Sequence, residues 1–463
     1  MVTVLILHNL VSSIRTFRFL ISFLLVFVLF LLSGILFNGR ISICNADDHD
    51  ALTENQQQLE SNATHLNTLA RATQTLYCPA SRLQFISTGF DDHLPNKLSM
   101  NAFSLSRFEN VSRFNPLFPE YNYLDWTFLI GIIMSFIALT LTFDAVTLEK
   151  ESGTLRSILS NSVARRQFLI AKFVSAAIVL LILLTIGMLS HLILITIDHP
   201  DLLHWTAVPP ILLVYCISLI YLSLFAGVGL FISTLSGRSA ISLVFCLVFW
   251  VITVLVIPNL GGLIAQTFFP ITPSRDVQER ISLSTKDIEN NAPGDVWSCF
   301  SSDLRLPCYG MRAEMNRKIL ENATSIRSAY HVEQIHQVAV SQSWIKISPT
   351  FLYQNTLAGI ANTGVSRVFD FEHRVNDYRI SLMSFIASKD IRDPKSPHLI
   401  NPYDGYLFSS DPVDYREIPK FSYTEPQTDF LFRENILNIG ILLFQEIILF
   451  MLTLMAFNRY DVR

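Results

Sequence analysis

The chain has 463 residues, of which 51% are hydrophobic and 16% charged, and its mean hydropathy is +0.40. Soluble domains carry roughly 25% charged residues, and the deficit here is concentrated in long stretches without any charge. This composition indicates a membrane protein with polar segments between its spans. The net charge of −4 argues against a nucleic-acid partner.

Six apolar stretches approach the length of about 20 residues that a membrane helix needs. The first, residues 18–38, is followed by no small-residue cleavage site and is therefore not a signal peptide. The sequence predicts an α-helical polytopic membrane protein with spans at residues 18–38, 126–143, 168–197, 208–235, 240–269 and 436–457.

Residues 1–17 form a short amphipathic segment, with Leu7, Leu10, Val11 and Ile14 on one side. This pattern predicts an interfacial helix that lies on the membrane before the first span. A frayed extension of that span is the alternative.

Lys and Arg near the span ends predict the orientation, because positive residues accumulate on the cytoplasmic side. They place both termini, the tail 458–463 and residues 144–167 in the cytoplasm. Two long segments, residues 39–125 and 270–433, then lie outside and make up more than half of the chain. We expect them to form one mixed, mainly helical extracytoplasmic domain. The positive residues are Arg15, Arg18, Lys150, Arg156, Arg165, Arg166, Lys172, Arg238, Arg459 and Arg463.

Residues 144–167, between the second and third spans, form the most informative stretch, which we call the coupling segment. It is charged and interrupted by Gly153, which permits a tight turn, and Thr154 is placed to cap the next helix. Since it shows nothing apolar to bury, it is typical of a docking surface. An ordinary solvated loop is the alternative. The candidate residues are Asp144, Glu149, Lys150, Glu151, Gly153, Thr154, Arg165 and Arg166.

The run 149–155 resembles the cytoplasmic coupling element of ABC-2 type transporter permeases. Arg165, Arg166 and Lys172 are similar to the basic residues that precede the next span in that family. Residues 347–355, 418–421, 434–435 and 457–463 resemble its branch with large extracytoplasmic loops, similar to permeases of multicopper-enzyme maturation systems.

This resemblance implies a separate cytoplasmic ABC ATPase subunit and a second permease subunit, identical or related. It also implies a bacterial inner membrane as the location. The chain has no phosphate-binding loop of its own, so we expect it to be no enzyme and to bind no cofactor, with ATP bound by the partner.

Cysteine positions suggest one disulfide bond. Cys299 and Cys308 lie in a turn-rich extracytoplasmic stretch, where an oxidising compartment favours a bridge. Cys44 and Cys78 are candidates for a second bridge, while Cys216 and Cys246 fall in apolar spans. No metal site is predicted.

His331 and His336 superficially resemble a zinc-protease helix. Their spacing is five residues instead of four, which turns the two imidazoles apart by about 140° on a helix.

Three polar residues lie inside the spans. Glu446, beside Gln445, either lines a translocation path or makes a helix–helix hydrogen bond, because a carboxylate in a membrane usually faces protein or water. His191 in the third span is interpreted as a packed or hydrogen-bonded residue.

These features favour a permease subunit that couples ATP hydrolysis by a partner either to export or to mechanical action on an extracytoplasmic partner. The rival hypothesis is a membrane receptor or assembly scaffold, whose outer domain binds a partner and whose spans are only an anchor. An intramembrane enzyme would need a nucleophile–base or metal constellation, and the sequence contains none.

The predicted topology can be tested by accessibility labelling. Single cysteines that replace Ser87 and Ser328 should react with a membrane-impermeant thiol reagent from the outer face. Labelling only after the inner membrane is permeabilised would contradict the topology.

Overall fold

The structure is a computed structural model that describes residues 2–89, 97–104, 107–109, 124–160, 164–258, 260, 267–298, 303, 306–400, 407–426 and 428–459. Six of the described helical stretches are long and apolar enough to cross a membrane. The prediction of six spans is therefore confirmed at the level of length and apolarity. We number them spans 1 to 6, which are Phe17–Cys44, Trp126–Glu151, Arg165–Asp198, Trp205–Leu235, Ser239–Val256 and Asp429–Arg459.

The described chain is mainly helical and contains three short strands. Span 2 is built from Trp126–Phe128, the π-helical turn Leu129–Met134, Ser135–Thr142 and Thr147–Glu151, and span 5 ends in a second π-helical turn, Val251–Val256. The remaining α-helices are Val2–Ile14, Phe17–Asn62, Leu66–Arg71, Thr154–Ser160, Arg165–Asp198, Val208–Leu235, Ser239–Trp250, Ser274–Asn290, Pro307–Ile345, Pro349–Ile360, Val365–Asp390 and Thr428–Arg459.

The N-terminal helix Val2–Ile14 packs beside span 3, where Ser175 Oγ donates to the Ile6 carbonyl at 3.2 Å. Leu10 packs against the protein, so it lies apart from the exposed stripe. That stripe consists of Val4, Leu7, Val11 and Ile14. An exposed apolar stripe on a short helix suits a position at a membrane interface.

The helix of span 1 continues past residue 38, the predicted end of that span. The helix runs without a break from Phe17 to Asn62 and has the Thr16 hydroxyl as its N-terminal cap. The polar stretch after residue 38 continues the same helix. A helix of this length spans roughly 69 Å.

The two long segments share a hydrophobic core, which we call the distal core. An antiparallel sheet of β1 (Gln74–Tyr77), β2 (Lys97–Met100) and β3 (Arg107–Glu109) belongs to the first segment, with Leu76 opposite Leu98. Helix Val365–Asp390 of the second segment packs on it. The buried residues are Leu59, Ala63, Leu66, Leu69, Ala70, Leu76, Cys78, Leu98, Met100, Ala102, Phe103, Phe371, Val375, Tyr378, Leu382, Ile386, Phe408 and Ile418.

Helix Pro349–Ile360, which we call the wedge helix, departs from the predicted boundary of the extracytoplasmic segment 270–433. It packs in the main core of the spans, not in the distal core. Tyr353 stacks on Tyr221 of span 4 with ring centroids 4.2 Å apart, and its hydroxyl lies 2.9 Å from Ser218 Oγ. Ser348 caps this helix and donates to the Thr253 carbonyl of span 5 at 2.7 Å.

The structure bears on two further predictions, the disulfide bonds and the labelling positions. Cys308 is disulfide-bonded, whereas Cys299 lies outside the described residues. Cys44 and Cys78 are buried and are not bonded to each other. Ser87 is only 2% exposed, so of the two labelling positions only Ser328 suits the topology experiment.

Spans 2 and 4 pack closely at Gly229. A methyl group at this position would lie on the Thr142 side chain, 3.0 Å from its Cβ. Thr142 is buried and β-branched, and its hydroxyl donates to the Ala138 carbonyl at 2.8 Å, so the side chain has little room to move.

We therefore predict that Gly229→Ala destabilises the protein by about 1–3 kcal/mol through overpacking. Gly440→Ala is the matched control, because a methyl group there meets nothing within 4 Å. The measurement is the unfolding midpoint of each purified variant in the same detergent. Equal midpoints for both variants would contradict the close packing.

Candidate functional site

The coupling segment folds into two short helices around a sharp turn. Thr147–Glu151 and Thr154–Ser160 are joined through Gly153, whose φ of +72° lies in the left-handed region. Space around Gly153 is open, since an added methyl group would meet nothing within 4 Å. The turn therefore needs glycine for its backbone conformation and not for close packing. Residues 161–163 lie outside the described chain.

The expectation that this segment has nothing apolar to bury is wrong. Val146 is fully buried and Leu155 is only 3% exposed. Both belong to a small core with Phe168 of span 3, Leu230 of span 4 and Phe457 of span 6. The segment is therefore packed against the nearby ends of spans 3, 4 and 6. We call this end of the bundle the coupling end.

Lys150 binds the last turn of span 4. Its Nζ donates to the carbonyl oxygens of Thr234 at 2.6 Å and Ser236 at 3.0 Å. The last carbonyls of a helix have no partner within the helix, and the C-terminal end of the helix dipole favours a cation. Lys150 satisfies both requirements and holds this helix end to the coupling segment.

Glu151 binds the first turn of span 5 in the complementary way. Its carboxylate accepts from the Ser239 amide at 2.9 Å and from the Ser239 hydroxyl at 2.8 Å. The first amides of a helix lack partners, and its N-terminus favours an anion. Lys150 and Glu151 together therefore hold both sides of the turn that joins spans 4 and 5.

Two ion pairs connect the segment to spans 1 and 3. Arg18 Nη1 of span 1 lies 2.6 Å from Asp144 Oδ2. Lys172 Nζ of span 3 lies 2.9 Å from Glu149 Oε1, and both of these side chains are largely buried. Thr154 donates to the Glu149 carboxylate and does not bond to an amide of its own helix. The predicted capping role of Thr154 is thus not seen among its hydrogen bonds.

The two arginines near the end of the segment lie in different environments. Arg165 donates to the carbonyl oxygens of Phe457 at 3.2 Å and Asn458 at 2.7 Å, at the end of span 6. Arg166 is exposed. Arg165 thus binds the last turn of span 6 much as Lys150 binds that of span 4.

Ser233 adds a contact that the sequence analysis missed. Its hydroxyl oxygen accepts from the amides of Val146 at 3.0 Å and Thr147 at 3.1 Å. Ser239, the partner of Glu151, was missed in the same way. Neither serine carries a sequence signal, because each lies more than 80 positions away from its partner in an otherwise ordinary span.

One face of the segment remains exposed. Leu148 is 56% exposed, an unusual position for a large apolar side chain in a charged segment. This face, which we call the docking face, consists of Leu148, Ser152, Gly153, Arg156, Ser157 and Ser160.

The polar residues inside the spans are bound within the protein. Ser223 Oγ donates to Glu446 Oε1 at 2.5 Å, and Gln445 Nε2 donates to the Ile347 carbonyl at 3.1 Å. His191 is fully buried, with Nδ1 3.3 Å from the Phe30 carbonyl oxygen and the Trp126 ring at a centroid distance of 5.5 Å. These contacts favour helix–helix bonding and packing for the three residues over a role in a translocation path.

The left-handed turn gives a specific prediction. Gly153→Ala should destabilise the folded turn by about 1–2 kcal/mol, since a Cβ crowds the left-handed conformation. Amide exchange over residues 152–160 should then be roughly ten times faster. Gly237→Ala is the control. Like Gly153, Gly237 lies in a turn at the coupling end with open space around it, but its φ is not positive. Hydrogen exchange with mass spectrometry measures both, and equal exchange in the two variants would contradict the strain argument.

The comparisons with known proteins agree with this architecture. The family model described as ABC-2 family transporter protein matches residues 3–462, which is nearly the whole chain. A comparison with curated proteins gives no match. Six apolar helices and a match over the full length together lead to one assignment: the chain belongs to the ABC-2 family of transporter membrane proteins.

Proposed function

We propose that this chain is the permease subunit of an ABC-2 type transporter and that its coupling segment receives a separate cytoplasmic ABC ATPase. One observation carries the proposal: one side of the segment is exposed, while its other side is bound to the ends of five spans. A segment built in this way can receive a partner and pass its movement to the spans.

The inward side of the segment supports transmission. Asp144 binds span 1, Glu149 span 3, Lys150 span 4 and Glu151 span 5. Arg165, near the end of the segment, binds the last turn of span 6. Each bond involves at least one charged side chain, and charge-assisted hydrogen bonds are stronger than neutral ones.

The outward side of the segment supports docking. Leu148 offers an exposed apolar side chain and Arg156 an exposed charge, and short polar residues surround them. An apolar anchor within a polar rim is the usual composition of a protein interface. Glu149, Lys150 and Glu151, which the sequence indicated as docking residues, instead bind other parts of the chain.

The family supports the remaining parts of the proposal. ABC-2 membrane proteins act in general with a cytoplasmic ATPase, and the chain lacks a phosphate-binding loop of its own. We propose that ATP is bound and hydrolysed only in that partner, that a second permease subunit completes the pore, and that the protein resides in a bacterial inner membrane with both termini inside. The scaffold hypothesis differs in needing no ATPase.

The docking face can be tested by co-purification with the cognate ABC ATPase. Leu148→Asp and Arg156→Glu should each lower complex yield about tenfold, the usual loss for an interface anchor. The amount of permease in the membrane should stay unchanged, because both side chains are exposed. Stimulation of ATP hydrolysis by the permease should fall with the yield.

Arg82→Glu is the matched control, since Arg82 is exposed like Arg156 but lies outside the coupling segment. It should change neither yield nor stimulation. If Leu148→Asp and Arg156→Glu behave like this control, the segment is not the docking site. If the wild-type chain also binds no ATPase, the scaffold hypothesis is favoured.

A further inference from the structure

The helix Phe17–Asn62 connects the two ends of the molecule. From Arg18 to Leu59 it covers roughly 60 Å at the helical rise of 1.5 Å per residue. The hydrocarbon layer of a bilayer is only about 30 Å thick. The helix therefore continues well past the membrane and enters the distal core.

At its lower end the helix is bound to the coupling segment. The Arg18 guanidinium pairs with Asp144 at 2.6 Å and lies 5.1 Å from the centre of the Phe143 ring. A displacement of residues 143–144 would thus act on the first turn of the helix through both a charge and an aromatic contact.

Along the membrane the helix packs tightly on span 3. An added methyl group at Gly187 would strike the Phe30 ring, and one at Gly34 would lie 3.1 Å from Leu194 Cδ1. Such close packing makes the two helices move together, because packed interiors deform little. Span 3 also carries Lys172, the partner of Glu149, so the pair of helices is bound to the segment at two points.

At its upper end the helix is part of the distal core. Leu59 is buried there together with Phe371 and Leu382 of helix Val365–Asp390. Just below this point Leu52, Glu54 and Gln56 are exposed. At these three positions the helix can therefore be altered without removing a buried side chain.

Two other described connections to the distal core are interrupted. The wedge helix and helix Val365–Asp390 are separated by a turn at 361–364, in which Asn362 has a φ of +52°. Span 6 is reached through residues 407–426, which contain neither helix nor strand. Helix Pro307–Ile345 is also unbroken, and its Leu320 packs on the distal core. Helix Phe17–Asn62 differs in that it is also bound to the coupling segment, through Arg18.

We propose that helix Phe17–Asn62 is a rod that carries ATP-driven movement of the coupling segment to the distal core, so that this protein does mechanical work on the far side of the membrane. This inference rests on the proposed function, since the ATPase supplies the movement. The sequence left two modes open, export and mechanical action on an extracytoplasmic partner, and this inference selects mechanical action.

The test uses the full permease–ATPase complex in lipid nanodiscs. Hydrogen exchange is measured over residues 371–386, with and without ATP and vanadate. Glu54→Pro breaks the exposed part of the helix, because proline removes a backbone hydrogen bond and clashes with the preceding turn. Glu54→Ala is the matched control, which removes the same side chain and keeps the helix. We expect an ATP-dependent change in exchange in the wild type and in Glu54→Ala, and its loss in Glu54→Pro.

ATP hydrolysis should be the same in all three complexes, since Glu54 lies outside the coupling segment. If Glu54→Pro does not fold, the combination Leu52→Gly, Glu54→Gly and Gln56→Gly softens the same stretch without a steric clash, with alanine at the three positions as its control. The inference is overturned if the broken helix still gives the ATP-dependent change, or if an active wild-type complex shows no such change. A chain that binds no ATPase would instead overturn the proposed function.

Discussion

The coupling end of this protein depends on one constraint: the backbone carbonyls and amides at the ends of its helices need hydrogen-bond partners. Each membrane helix that ends near the bilayer surface leaves up to four carbonyls or four amides without partners, and leaving such groups buried and unpaired is costly. Lys150 and Arg165 satisfy carbonyls of spans 4 and 6, and Glu151 satisfies an amide of span 5. Since these charges come from one short stretch of chain, that stretch cannot shift without disturbing several helices.

The same rule accounts for the polar residues inside the bundle. Ser135, Thr142 and Ser218 donate to the carbonyls of residues four positions earlier in their own helices, at 2.7–2.8 Å. A hydroxyl bonded in this way is compatible with an apolar environment and needs no water. Glu446 likewise obtains its bond from Ser223 on a neighbouring span. The polar groups that might have indicated a translocation path are therefore bound within the protein.

The sequence predicted the six spans because hydropathy over about 20 residues is a local property, and it identified the coupling segment because its residue types are local too. It could not show that Lys150 and Glu151 bind the ends of spans 4 and 5, since their partners at positions 234, 236 and 239 are distant in the chain. The continuous helix was missed because the change from apolar to polar residues after position 38 is typical of a loop, although it equally suits a helix that leaves the membrane. The position of the wedge helix among the spans was not predicted, because a short apolar helix inside a long polar segment has the same pattern whether it packs on a soluble core or among spans.

The wedge helix also bears on how the two ends of the molecule can move. Its Tyr353 stacks on Tyr221 of span 4, while the preceding Ser348 binds span 5 and Ile347 binds Gln445 of span 6. Spans 4, 5 and 6 are thus held together at this point, as spans 1 and 3 are held together by Phe30 and Gly187. The coupling segment is bound to both groups at the opposite end. A displacement of that segment would therefore act on both groups, and the long helix of the first group continues into the distal core.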